Sequence, residues 1–269
     1  MNDARLLDNA SRAEVEANML RMLALIDAKL PLTAIQFGPT VNAVAASVSI
    51  TAAELAVVSV GDTVDFWGEV YTKVASDPGE NEFTDAAGLA ALISGNPAWV
   101  ATESDGAISI VSAVKGVEFN NNAVIMRVLS GETAGGGEAA KSTVTIPAAD
   151  LAQLTVDDQV FFGDLTLVKV AETPGVGQFV DTAGLVSVLD ALEDWTAAAS
   201  EGAVVITAAE NGVANDGVEA GVQMSRISSD GVNGTVGSKG DIRLDTDALY
   251  VATDDNTIAD ANWKSVALT

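Results

Sequence analysis

An internal duplication constrains this chain more than any other feature, because one pattern of residues must satisfy the same fold twice. Shifted by 96 residues, VSITAAELAVVSVGDTVDF from Val48 falls on VTIPAADLAQLTVDDQVFF from Val144, and the match runs without a gap to Val117 over Val213. Direct comparison gives 29 identities in the 70 positions from 48 to 117, too many for shared composition alone. They include Asp62 with Asp158, Phe66 with Phe162, Lys73-Val74-Ala75 with Lys169-Val170-Ala171, Phe83 with Phe179, Asp85 with Asp181 and Trp99 with Trp195. The expected organisation is a leader (1–45), module one (46–131), a linker (132–141), module two (142–228) and a C-terminal piece (229–269). The glycines of GETAGGGE, 131–138, and of SSDGVNGTVGSKGD, 228–241, read as flexible connectors, since no strand-to-helix phosphate loop accompanies them.

Each module reads as α+β. Val48 and Ile50, with Val144 and Ile146, alternate with polar neighbours as a half-buried strand does. Thr63 to Val74 reads as two strands about a turn near Gly68 and Glu69, with Gly163 and Asp164 in the second copy. Asp85 and Asp181 are placed to cap short helices that carry Leu89, Leu92 and Ile93, or Leu185, Val188 and Leu189, on one face. Trp99 to Val111 and Trp195 to Ile206 read as hairpins turning at Asp105-Gly106 and Glu201-Gly202. The predicted module is βββαββ. In the leader, Val15, Met19, Met22, Ile26 and Leu30 recur at helical spacing and Pro31 ends the run, so one amphipathic helix is expected. Its apolar stripe suits packing against its own module, a short coiled coil, or docking on a larger assembly.

Composition then limits the chemistry. Lys and Arg number 13 against 38 Asp and Glu, a formal charge of −25, and the chain has neither His nor Cys. A polyanion repels phosphate, so nucleic acid and acidic membranes are poor partners. Without His or Cys there is no thiolate nucleophile, no disulfide and no imidazole base or metal ligand. At 48% apolar residues the chain can bury cores, and no run approaches the ~18 apolar residues of a membrane span. The first residues, MNDARLLDNASR, lack a signal peptide's basic and apolar regions, so synthesis in the cytoplasm is expected. Acid pairs such as Asp157 with Asp158 or Asp245 with Asp247 invite a glycosidase reading, but neighbours in a strand point to opposite faces. Asp245-Thr246-Asp247 and Asp254-Asp255-Asn256 hint at Ca²⁺ without the order of an EF-hand loop. No catalytic, metal or cofactor-binding residue is assigned, no cofactor is expected, and the chain is read as no enzyme.

The C-terminal segment Gly234 to Thr269 has a Gly-rich lead, a strand with Ile242, Arg243 and Leu244, an aromatic strand with Leu249, Tyr250 and Val251, and a closing Trp263-Lys264-Ser265-Val266-Ala267-Leu268. It resembles a short β motif found at the C-termini of bacteriophage head-fibre and tail-fibre proteins, with Ile258 to Asn262 inserted before the Trp. The modules resemble a small repeat of phage virion proteins through Gly61, Asp62 and Val64, the Phe-x-Asp helix entry and the Trp hairpin. What the resemblance implies is a structural protein on the virion exterior, a capsid decoration protein or head fibre, homotrimeric and in contact with the capsid or another virion protein. On this reading Val15, Met19, Met22, Ile26 and Leu30 supply oligomer or docking contacts. A reading from another class is a tail fibre or receptor-binding module that takes a host surface glycan. There Trp67, Tyr71, Tyr250 and Trp263 would offer ring faces to sugars, and Trp67, whose counterpart is Gly163, is the one the shared core does not require.

Overall fold

The computed structural model describes residues 35–37, 43–229, 231–235, 241–244, 248–252, 256 and 263–267. The helix expected over residues 11–30, with Val15, Met19, Met22, Ile26 and Leu30, lies outside the described residues. The chain divides into two units: residues 1–46, 114–118 and 231–269 form one, and residues 47–113 with 119–230 form the other.

The fold is mixed α+β. After β1 (Ile35–Phe37), the first series of elements is β2 (Ala45–Ile50), α1 (Ala52–Val57), β3 (Thr63–Phe66), β4 (Glu69–Lys73), β5 (Glu82–Phe83), α2 (Ala86–Ser94), β6 (Trp99–Ser104), β7 (Ala107–Lys115) and β8 (Ala123–Glu132). Ninety-six residues on come β9 (Lys141–Ile146), α3 (Ala148–Ala152), β10 (Gln159–Phe162), β11 (Leu165–Lys169), β12 (Gln178–Phe179), α4 (Thr182–Asp190), β13 (Trp195–Ser200), β14 (Ala203–Asn211) and β15 (Glu219–Ile227). The order differs from βββαββ. A short helix follows the first strand, a two-residue strand precedes the second helix, and a long strand follows the hairpin.

Local chemistry accounts for these elements. Thr51 and Glu54 form a reciprocal capping box that starts α1 directly after a strand, whereas the second copy opens α3 on Pro147 with no side-chain cap. Asp85 and Asp181 each accept the N–H of the glycine three residues on, at 2.8 Å, satisfying one exposed donor of α2 and α4. Alternation buries Ala46, Val48 and Ile50 of β2, and Val124, Met126 and Val128 of β8.

Two three-stranded sheets, β2-β7-β6 and β9-β14-β13, belong one to each copy. The remaining strands join in one eight-stranded sheet, β12-β11-β10-β15-β8-β3-β4-β5. Its centre is the antiparallel pair β8·β15, where Arg127 lies opposite Gln223, its own counterpart 96 residues on. An approximate two-fold axis therefore passes through that pair. The flanking registers obey it: Val64 faces Met126 in β3·β8, and Val160 faces Val222 in β10·β15. Each half-sheet packs on its own smaller sheet through aromatic rings, Phe66 against Trp99 at 4.9 Å and Phe162 against Trp195 at 4.7 Å.

The stretch read as a flexible connector is hydrogen-bonded. Thr133 is buried and bonded to Val218 and Gly217, and Ala134 exchanges two bonds with Thr143. A Cβ on Gly136 would stand 2.0 Å from the Gly212 carbonyl oxygen, so this glycine permits close approach.

In the other unit, β16 (Ile242–Leu244), β17 (Ala248–Ala252) and β18 (Trp263–Ala267) form an antiparallel meander, and β1 adds to β16 in parallel. The expected leader thus carries a strand beyond the helical pattern. Trp263 is buried with Ala43 and Ala252, and Tyr250 packs against them.

Candidate functional site

The four aromatics singled out in the sequence fall in different settings. Trp263 is 5% exposed, its indole N–H donates to the Thr235 carbonyl at 2.9 Å, and Arg243 stands over its ring at 5.7 Å. Tyr250 is half-buried beside it. Trp263 is thus part of a buried cluster, with Tyr250 at its edge. Tyr71 is 4% exposed on β4, where it contributes to a shallow cleft of about 360 Å³ with Glu69, Glu80, Asn81, Asn96 and Pro97. Burial, aided by the charge of Glu69, pushes its hydroxyl pKa up, so it is a protonated donor across the physiological range.

Trp67 is the exposed one, at 41%. It occupies the first position of the β3–β4 turn at φ +56, followed by Gly68 at φ +78. A left-handed backbone is unfavourable for a bulky residue, at a cost on the order of 1–2 kcal/mol. The second copy places Gly163 there, at φ +54, without that cost. What holds the Trp is a ring cluster: it lies 5.1 Å from Trp99, edge-on, and 5.1 Å from Phe119, and those two are 5.3 Å apart. Phe119 and Tyr71 also have no aromatic counterpart, since Asn215 and Leu167 stand 96 residues on. Copy one thus carries a private aromatic patch grown on the shared Trp99.

The acids do structural work. Asp158, 1% exposed, accepts from the backbone N–H of Ser225 at 2.8 Å and of Thr155 at 2.6 Å, from the Thr155 hydroxyl at 2.9 Å, and from Arg226 at 2.8 and 3.0 Å. These contacts occupy both carboxylate oxygens. Its neighbour Asp157, at φ +73, lines an open cleft of about 730 Å³ with Ser47, Gln159, Gln223 and Arg226. Of the acids that suggested Ca²⁺, Asp245, Asp247, Asp254 and Asp255 lie outside the described residues.

Arg226 joins the two copies. It bonds Glu54 of α1 at 2.5 Å as well as Asp158 and the Gln153 carbonyl. Burial works against its charge, but the hydrogen bonds to Asp158 and Glu54 outweigh it and hold the guanidinium pKa above its ordinary value. Applying the 96-residue relation gives the counterpart junction, with Asp150 for Glu54, Asp62 for Asp158 and Ser130 for Arg226. There the Ser130 hydroxyl bonds Asp150 at 2.8 Å, and Asp62 accepts from Leu129 N–H at 2.8 Å and Ser59 N–H at 2.5 Å. Sequence reading marked Asp62 and Asp158 as identities but missed both junctions. The usable signal was an arginine in an otherwise uncharged strand segment, GVQMSRI, of a chain poor in cations. Near the two-fold, Arg127 stacks over Phe161 at 4.3 Å and bonds Glu219 at 2.8 Å.

Among the described residues no helix is long and apolar enough to cross a membrane. Comparison with protein-family models, with curated proteins and with solved structures returned no match.

Proposed function

We propose that the protein is a noncatalytic structural component of a bacteriophage virion, a capsid decoration protein or head fibre on the exterior surface. The observation that carries this reading is Trp67. An aromatic ring is held half out of the protein on an unfavourable backbone, in the one copy that has Phe119 to support it, as a built contact residue would be. The joining of the duplicate halves through one sheet supports it, since a continuous sheet resists separation of the copies. The charge of −25 favours a surface that stays clear of packaged DNA. The motif of residues 234–269 adds its resemblance to fibre termini. Self-association into a trimer, with the leader residues Val15, Met19, Met22, Ile26 and Leu30 as oligomer or docking contacts, belongs to the same proposal.

Gold-labelled antibody against this chain should mark phage heads, and the purified protein should bind purified capsids. Trp67→Ala should weaken that binding at least tenfold, the size of a typical interface anchor, while leaving the fold intact. Light scattering should give three times the mass of the chain. Label on tails, together with binding to host polysaccharide that Trp67→Ala abolishes, would instead establish the receptor-binding alternative, which the same exposed ring favours. A monomer that binds neither surface would remove both.

A further inference from the structure

We propose that the junction of Asp62, Ser130 and Asp150 is a proton-holding counterpart of the arginine junction, so that acidification tightens the contact between the two copies. The two junctions are related by the 96-residue repeat and the approximate two-fold through β8·β15. At one, the guanidinium of Arg226 bridges Glu54 and Asp158, with side-chain exposures of 8% and 1%. At the other, the residue 96 positions earlier is Ser130, which sits in the register irregularity of β8·β15 between Leu129 and Gly131, carries no charge and can donate one proton. Asp62 and Asp150, 4% and 6% exposed, are therefore brought together by consecutive groups of β8, the Leu129 N–H and the Ser130 hydroxyl, with no bridging cation among the described residues.

Among the described residues the charged surroundings do not replace the arginine. From β4, Lys73 acts on Asp62, but its ammonium donates to the Val58 carbonyl at 2.7 Å. From β8, Arg127 acts on Asp62 at longer range and is bonded to Glu219. Asp150 faces Asp62, whose charge disfavours its own ionisation, and α3 meets β14 and β15. The charged residue of β14 is Glu210, which is exposed; those of β15 are Glu219 and Arg226, both already paired. Burial is the largest influence on both carboxyls and raises both pKa values, against the hydrogen bonds they accept.

The sign follows from proton linkage. Groups whose folded pKa lies above the ordinary 3.8 bind more protons folded than unfolded in the interval between the two values. The stability they contribute is complete below 3.8 and is lost as pH rises through the folded pKa.

Urea unfolding of the full chain at constant ionic strength, from about pH 4.5 to about pH 7.5, tests this against Asp150→Asn and Ser130→Arg. Relative to Asp150→Asn, the wild-type folding constant should rise on acidification, by up to about tenfold per pH unit for each proton taken up. Ser130→Arg, which gives the second junction the charge of the first, should raise the midpoint near neutrality and flatten the same dependence. Curves for wild type and Asp150→Asn that stay parallel across the range overturn the proposal. Should Asp150→Asn fail to fold, parallel curves for wild type and Ser130→Arg overturn it equally. Bulk charge changes alike in all three proteins, so it drops out of the comparison.

Discussion

Arg226 and Arg127 stand on the paired strands β15 and β8, and burial separates their value. Arg127 and Glu219 are each 45% exposed, and an ion pair in water contributes roughly 0–1 kcal/mol. Arg226 is 15% exposed and its two partners less, so its removal leaves two buried carboxylates facing each other. Arg226→Ala should cost about 3–5 kcal/mol, read as a urea midpoint, while Arg127→Ala should change it little. Gly221 sets a second limit. A Cβ there would meet the Val128 carbonyl oxygen at 2.1 Å and the Phe161 ring at 2.5 Å, so Gly221→Ala should destabilise by roughly 1–3 kcal/mol in the same measurement. Asp62 and Asp158 were legible as identities, but their partners were not. Ser225 and Leu129 donate through the backbone, and a backbone donor leaves no trace in residue type.

At the scale of elements, what could be read was whatever rests on local chemistry. The Asp85 and Asp181 caps, the Asp105-Gly106 turn and the alternation of β2 and β9 are written in consecutive residues, and the structure places them there. Replacing either capping Asp by Ala should cost about 1 kcal/mol, and the two losses should add in the double variant, because the caps lie in separate copies. The strands β8 and β15 were missed. Residues 118–132 share no identity with 214–228, although the buried positions stay apolar, Val124, Met126 and Val128 against Ala220, Val222 and Met224. These strands pair with each other, so each answers to its partner across the axis and neither is held to its counterpart. GETAGGGE misled for a related reason: its Gly136 serves a close backbone approach at Gly212, which only the folded chain creates.

For the molecule as a whole, the charge of −25 is a distributed repulsion that salt should relieve. Raising ionic strength from about 0.01 M to about 0.15 M shortens the screening length from ~30 Å to ~8 Å. The thermal midpoint should rise with it, and it should rise equally in Arg226→Ala, whose lost contacts are too short to be screened.

By itself the sequence determined that the chain is duplicated, acidic, able to bury cores and built of short α and β elements, because each of these is a property of composition or of neighbours in the chain. It also marked Trp67 as private to one copy. Only the tertiary structure decided that the copies share one sheet, that Trp67 projects from a left-handed turn on a cushion of Trp99 and Phe119, and that one junction is held by Arg226 and its twin by Ser130. Those are relations between residues up to 172 positions apart, fixed by strand register and burial, to which no local pattern in the sequence responds.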